Sequence, residues 1–409
     1  MSASGAATRE SSSGRLITPV FLLVTFATFA YFVAIGALIP TLPRFVAGPL
    51  GGGETAVGLA VGSFSLTAVL LRPFAGRLGD RRGRRLLMVI GAGLVGVSVL
   101  GYLAAESYAV LVALRLVTGT GEAFFYVGAA SVINDLAPDH RRGEALSFFS
   151  LALYAGIGAG PVLGEGVLSG TSFDSVWLVA AASAGIAVAL ALAVPETRAK
   201  FEPPSVPPRR RLVHPAGLVP GTILATSVWG LAGFNTFVPL YALDLGLDGS
   251  RAVFVAYALI VMSLRLFGAR IPDRLGTRRT GRTALACSAV GLAAMALWST
   301  PSGLFAGTIL FALGQALAFP TLMSMAVSSA PLAERAEVVG TFTAFFDLAM
   351  GAGALSLGAV ARVFGYDGVF VAAALVAVGG LLLMVGYARR AEVRREPERV
   401  EEIQEPARS

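Results

Sequence analysis

A chain of 409 residues would ordinarily fold as two or three soluble domains. Here hydrophobic residues make up 55% and charged residues only 14%, and mean hydropathy is +0.74, which leaves too little polar side chain to cover a water-facing surface. The net charge of +7 rests on 31 Arg and a single Lys, Lys200, set in short loops rather than on a basic soluble face, so a large soluble domain and a nucleic-acid-binding module are both excluded.

The predicted elements are helices that span a lipid bilayer. The first fifteen residues are polar and rich in Ser, Ala and Gly, without a cleavable-signal pattern, and lead into an apolar run from Leu16. Twelve apolar segments follow: roughly 17–40, 55–75, 86–105, 108–133, 144–168 and 175–194, then 216–240, 251–269, 281–299, 302–327, 337–361 and 367–388. At about 20 residues each they use roughly 240, leaving about 13 for each loop and tail. Between the sixth and seventh segments, 195–215 carries six prolines and the run Arg209-Arg210-Arg211, which forbids a spanning helix and predicts an extended linker. The expected organisation is therefore a tail (1–16), six helices (17–194), a linker (195–215), six more helices (216–388) and a charged tail (389–409).

Charge sorts by loop. The tails and even-numbered loops hold 26 of the 32 basic residues, while the odd loops hold Arg44, Arg251 and Arg362. By the positive-inside rule both termini and the linker are cytoplasmic. Three arginines fall inside segments: Arg72, Arg115 and Arg265. Of these, Arg72 and Arg265 lie near the cytoplasmic ends and are expected to snorkel to the interface.

The two halves repeat. An offset of 193 lays LRPFAGRLGDRRGRR (71–85) on LRLFGARIPDRLGTR (264–278) with eight of fifteen positions identical. The same offset lays Gly121-Glu122-Ala123 on Gly314-Gln315-Ala316, and Gly158 and Gly160 on Gly351 and Gly353. Parallel repeats of six helices are a transporter architecture.

The loop after the second segment reads Gly76-Arg77-Leu78-Gly79-Asp80-Arg81-Arg82-Gly83-Arg84-Arg85. Gly83 permits the tight turn between antiparallel helices, and Asp80 is an isolated acid among arginines, suited to a helix N-terminus. This loop resembles the G-x-x-x-D-R-x-G-R-R signature of the major facilitator superfamily, and the twelve segments, the repeat and the basic linker extend the resemblance over nearly the whole chain. It implies an all-α polytopic membrane protein with two pseudo-symmetric six-helix bundles. It also implies a cytoplasmic latch at Asp80 and Arg81, which meets the start of the eleventh helix when that side is shut. Asp273 and Arg274 are its degenerate copy.

Further along, Gly91-Ala92-Gly93-Leu94-Val95-Gly96 fits the G-x-G-x-x-G dinucleotide pattern, yet no acid follows at the required distance and the flanks continue one apolar span, so this reading fails. Arg115, with Gly119, Gly121 and Glu122, resembles the superfamily's fourth-helix signature, to which a role in proton coupling is assigned. A charge at the centre of a membrane helix costs on the order of 3 kcal/mol or more, so it marks a function or a structural partner. Arg115 and Glu122 lie about 10 Å apart along the axis, so neither can neutralise the other directly.

In the fifth segment, Gly156, Gly160, Pro161 and Gly164 match the G-x-x-x-G-P-x-x-G signature of drug:proton antiporters within the superfamily, with Glu165 where a glycine is common. Glycines four apart form a face that lets another helix approach closely, and Pro161 favours a bend. Both would suit a moving contact between the halves. Asp347 lies about 16 Å into the eleventh segment, near the bilayer centre, with no basic neighbour within a helical turn. Desolvation penalises its charged form, which suits a carboxylate that takes up and releases a proton. Its repeat partner, Tyr154, and the mid-span Asn235 and Gln315 are candidate cavity residues.

Cys287 stands alone, and His140 and His214 fall in loops, so no disulfide, metal site or cofactor is expected. The reading is a non-enzymatic plasma-membrane transporter working by alternating access, with protons and a small organic or drug-like molecule as partners, functional as a monomer. Proton carriers would be Asp347 and Glu122, with Arg115 as modulator, in a proton-coupled efflux cycle. A symporter or uniporter for a sugar or organic acid remains open, since Pro195-Glu196-Thr197-Arg198 resembles an element of sugar porters. So does a membrane receptor that has lost transport.

Overall fold

The computed structural model describes residues 16–138, 141–197, 213–268, 274–331 and 334–404, with backbone alone at 143, at 336 and beyond 387. All its regular structure is helical. In chain order the helices are α1 (Pro19–Ala47), α2 (Glu54–Arg82), α3 (Arg84–Gly101), α4 (Tyr108–Leu136), α5 (Arg142–Gly170) and α6 (Phe173–Ala193). Then come α7 (Pro215–Asp244), α8 (Arg251–Phe267), α9 (Thr277–Leu297) and α10 (Pro301–Ser328). A final helical run, Arg335–Gln404, is interrupted at Gly365, where φ is 67°. We label its two parts α11 (335–364) and α12 (366–404).

Local chemistry explains where these helices start and stop. Proline opens α1, α7 and α10, where its missing N–H costs nothing. Thr18, Ser107 and Thr300 each cap a helix by accepting a backbone N–H with the side-chain oxygen, at 3.2, 3.4 and 3.2 Å respectively. Gly83, at φ 117°, separates α2 from α3, as the tight-turn expectation required. Several helices outrun their apolar segments. For example, α2 continues from the expected end near 75 to Arg82, because its charged last turns still form helical hydrogen bonds after the apolar stretch ends.

Among the described residues ten helices are long and apolar enough to cross a membrane. The difference from twelve apolar segments has two sources. At 17 residues α8 is short, and Glu337–Tyr387 is one continuous candidate containing the Gly365 break.

Helices α1–α6 pack mainly on one another, α1 against α5 and α6, and α4 against α2 and α3. Helices α7–α12 do likewise, α7 against the Arg335–Gln404 run and α10 against α8 and α9. The main contacts that join the sets among the described residues are α2 with that run, α5 with α8, and α1 with α7. In the first set, Tyr31 stacks on Phe125 at 3.9 Å, and Trp177 is boxed by Phe45, Tyr102 and Phe173. Gly58 and Gly62 of α2 lie against the backbone of Gly351, Ala354 and Gly358 on α11, bringing the two main chains into direct contact.

The fifth-helix glycines pack elsewhere than the moving contact expected of them. Gly156 faces Phe29 and Phe32, Gly160 faces Gly36, and Gly164 faces Ala37, all on α1 within the first set. Contact of α5 with α8 falls instead to Gly158, where a Cβ would lie 3.1 Å from the Cβ of Ala258. Two residues at 100° each turn Gly158 away from the face of Gly156. Helix α5 runs on through Pro161 without a break.

A Cβ at Gly160 would lie 2.5 Å from Gly36 Cα and 2.7 Å from the Ala37 nitrogen, both backbone atoms that cannot rotate aside. Gly160→Leu is therefore expected to cost 1–3 kcal/mol or more by over-packing, roughly the range for cores. Heating of the detergent-purified protein, followed by size-exclusion, should show a lowered Tm. Gly185→Leu, with nothing within 4 Å, should leave it unchanged.

Candidate functional site

Between the two sets lies a cavity of about 280 Å³. Most of its wall is apolar, from Phe32, Leu38, Phe254, Phe319 and Met350 among others. Into it project Arg72, Arg115, Glu122, Tyr154, Asn235, Arg265, Gln315 and Asp347. All three intramembrane arginines and both candidate acids therefore face one space, although they come from four helices.

Asp347, 7% exposed, forms an ion pair with Arg72 Nη1. Its partner is 275 residues away in sequence and on α2, so the pair joins the two sets. The Arg72 guanidinium also sits over the Tyr126 ring, 4.6 Å from its centroid, and lies within electrostatic reach of Glu122. This corrects the expectation that Arg72 snorkels to the interface. The helix continues for ten residues beyond it, and the guanidinium turns into the cavity, where α11 presents the carboxylate.

Glu122 is 6% exposed and lies beside the buried Tyr31 hydroxyl, with which its carboxylate interacts. Arg115, 5% exposed, donates from Nε to the Ala60 carbonyl at 2.9 Å and lies over the Phe64 ring at 4.5 Å. It braces α4 on α2 and does not pair with Glu122. Gln315 donates from Nε2 to both the carbonyl and the hydroxyl of Ser227, each at 3.0 Å. Asn235 lines the cavity from α7. Arg265, also expected at the interface, instead lies over the ring of Tyr154, 3.5 Å from its centroid.

The loop between α2 and α3 is held within the first set. Asp80 lies 3.9 Å from Arg84, one turn on, and Arg84 forms an ion pair with Asp135 at the end of α4. Glu196 accepts the Arg84 backbone N–H at 2.9 Å, and the Thr197 hydroxyl donates to Asp135 at 2.9 Å. Gly83 is needed twice over, because a Cβ there would also collide with the Glu196 carboxylate. Gly76 faces open space, Arg81 and Arg274 are exposed, and Asp273 lies outside the described residues.

At the opposite end, Glu165 is 3% exposed. It accepts hydrogen bonds from the backbone and hydroxyl of Ser250, at 3.0 and 2.6 Å, and lies 3.6 Å from Arg44. Ser250 precedes the first turn of α8, so this carboxylate ties the first set to the second and meets the positive end of a helix. Sequence reasoning had noted Glu165 only as a missing glycine. Its position at the end of a membrane helix, among small residues, was the available signal. For Arg72 and Arg265 the signal was their equivalence within the repeat.

Comparison with known proteins agrees with this geometry. The family model described as Major Facilitator Superfamily matches residues 24–306 and, in a second match, 252–409. An uncharacterised MFS-type transporter of Pseudomonas aeruginosa is 30% identical over 401 residues, 93% of this chain and 96% of its own. One from Salmonella typhimurium is 28% identical over 369 residues, covering 87% and 93%. Among solved structures, a POT family transporter in complex with a thioalcohol-conjugated peptide overlays with a TM-score of 0.77 at 13% identity, over 90% of this chain and 96% of that one. The human organic anion transporter MFSD10 overlays with a TM-score of 0.66 at 19% identity, over 90% and 100%. At such identities these likenesses establish the fold alone. With the family model spanning nearly all of it, the chain belongs to the Major Facilitator Superfamily and is a multi-pass membrane transporter of small molecules, not an enzyme.

Proposed function

We propose that this transporter is a proton-coupled exporter of a small organic or drug-like molecule, akin to the drug:proton antiporter branch. In this reading twelve helices cross the plasma membrane as two pseudo-symmetric bundles, 17–194 and 216–388, that rock as a monomer about the central cavity. The linker at 195–215 and the tails at 1–16 and 389–409 lie in the cytoplasm.

One observation carries the reading: Arg72 stands between an acid of each bundle, paired with Asp347 and in the field of Glu122. A buried ion pair persists only while both partners are charged, since removing one leaves an uncompensated charge. A proton on Asp347 dissolves the link between α2 and α11, and Arg72 then turns toward Glu122 within its own bundle. Proton binding is thereby converted into loss of a contact between bundles. Such a step suits alternating access. Arg115 would hold α4 on α2 during the motion. Asp80 and Arg81 would meet α11 once the cytoplasmic side shuts, with Asp273 and Arg274 as the copy. At the far end, Glu165 and Ser250 must part when the cavity opens outward.

A symporter or uniporter for a sugar or organic acid is the second reading, favoured by the contacts that Glu196 and Thr197 make with the gating loop and α4.

In proteoliposomes, Asp347→Asn is expected to reduce substrate flux driven by a pH gradient at least tenfold while exchange of substrate across the membrane continues. Unchanged coupling would remove Asp347 as the carrier. Topology is checked with single cysteines in a Cys287→Ser background. Ser172→Cys and Pro195→Cys flank α6 on opposite ends. A membrane-impermeant maleimide applied to intact cells should label the first, and label the second only after permeabilisation. The reverse pattern would place the termini outside.

A further inference from the structure

Arg72 and Arg265 are equivalent under the offset of 193 positions, and so are the residues they meet, Tyr154 and Asp347. These two contacts between bundles, α2 with α11 and α8 with α5, are thus copies of one arrangement under the repeat. They differ in one respect. Arg72 meets a carboxylate, whereas Arg265 meets an aromatic ring at 3.5 Å.

Among the described residues Arg265 has no carboxylate within ion-pair distance, and its Nε is buried without a hydrogen-bond partner. Arg115 also lacks a carboxylate, but its Nε is satisfied by Ala60. Three guanidinium groups and two carboxylates therefore face the same cavity. A guanidinium stacked on a ring gives one face to the aromatic and keeps its in-plane N–H groups available, the geometry that takes a carboxylate through two parallel hydrogen bonds. Beside it the wall is apolar, with Ile157, Phe254, Met262 and Phe319. Sites of this kind bury an apolar body and orient it by a few polar groups.

We propose that Arg265, stacked on Tyr154, is the anchor for the substrate's anionic group, and that the transported molecules are amphipathic organic acids, a carboxylate on a compact apolar body. Bound there, the substrate carboxylate occupies for the α5–α8 contact the role that Asp347 plays for the α2–α11 contact. This rests on the transport reading and names its substrate class, whichever direction the cycle runs.

The test uses the purified full-length protein and a panel of aromatic and alicyclic carboxylic acids, each paired with its own primary amide and with the corresponding amine. Affinity is read from ligand-induced thermal stabilisation. At least one acid is expected to bind tenfold or more tightly than its amide, with the amine weakest. Arg265→Gln should erase that preference, bringing the acid to the affinity of its amide, and Arg265→Lys should restore part of it. Amide binding by each variant shows that the cavity is still folded. If no acid outranks its amide, or if Arg265→Gln retains the preference, the proposal is overturned. Acids that bind through Arg265 without any pH-driven flux would keep the anchor and remove proton coupling. Asp347-dependent flux of amides or amines with no preference for acids would do the opposite.

Discussion

Everything in the centre of this protein follows from the cost of a charge out of water. A guanidinium or carboxylate held within the bilayer must be paired, hydrated or stacked, because the surrounding hydrocarbon offers nothing in return. The chain carries three arginines and two acids at that level and directs all five into one cavity. Helix packing is arranged around them: α4 is braced on α2 through Arg115, and α2 is joined to α11 through Arg72 and Asp347. Take away the charges and the two helix sets would be held by apolar contact alone. With them, the strength of the join depends on protonation and on what occupies the cavity.

The packing divides into contacts that can slide and contacts that cannot. Within the first set, Gly156, Gly160 and Gly164 press onto α1 with no room for a methyl group, and the aromatic box around Trp177 fills the remainder. Between the sets, beside the glycine crossing of α2 on α11, the joins are chemically specific: a buried ion pair, a stacked arginine, and a carboxylate at the start of α8. Rigid halves with a polar, reversible seam are what rocking motion requires.

Much of this was legible in the sequence. Hydropathy located the helices because lipid requires about 20 apolar residues per crossing. The repeat emerged because one offset, 193, recurs in separated motifs. Asp347 and Glu122 stood out as acids where acids are expensive. What the sequence withheld was partnership. Arg72 lies near the end of its apolar segment, and only the third dimension shows α2 continuing past it and α11 presenting Asp347 alongside. The glycine motif marks a small-residue face, yet a face does not name its neighbour: the angular position around α5 decides between α1 and α8. The partners of Glu165 were hidden for a related reason, since Arg44 at the end of α1 and Ser250 before α8 are distant from it in sequence.

The glycine crossing of α2 and α11 has a mechanical consequence. At Gly62 the two main chains touch, so the helices can tilt there but can hardly separate. Arg72 lies ten residues along α2 from that fulcrum, a lever arm of about 15 Å, and Asp80 lies eighteen along, about 27 Å. A tilt of about 10° at the crossing then moves Arg72 by roughly 2.6 Å, which is enough to part hydrogen-bonded atoms. It moves the gating loop by nearly 5 Å, on the order of one helical turn. The helix thus works as an amplifier, and the two charged positions along it, Arg72 and Asp80, read out a small displacement and a large one from the same pivot.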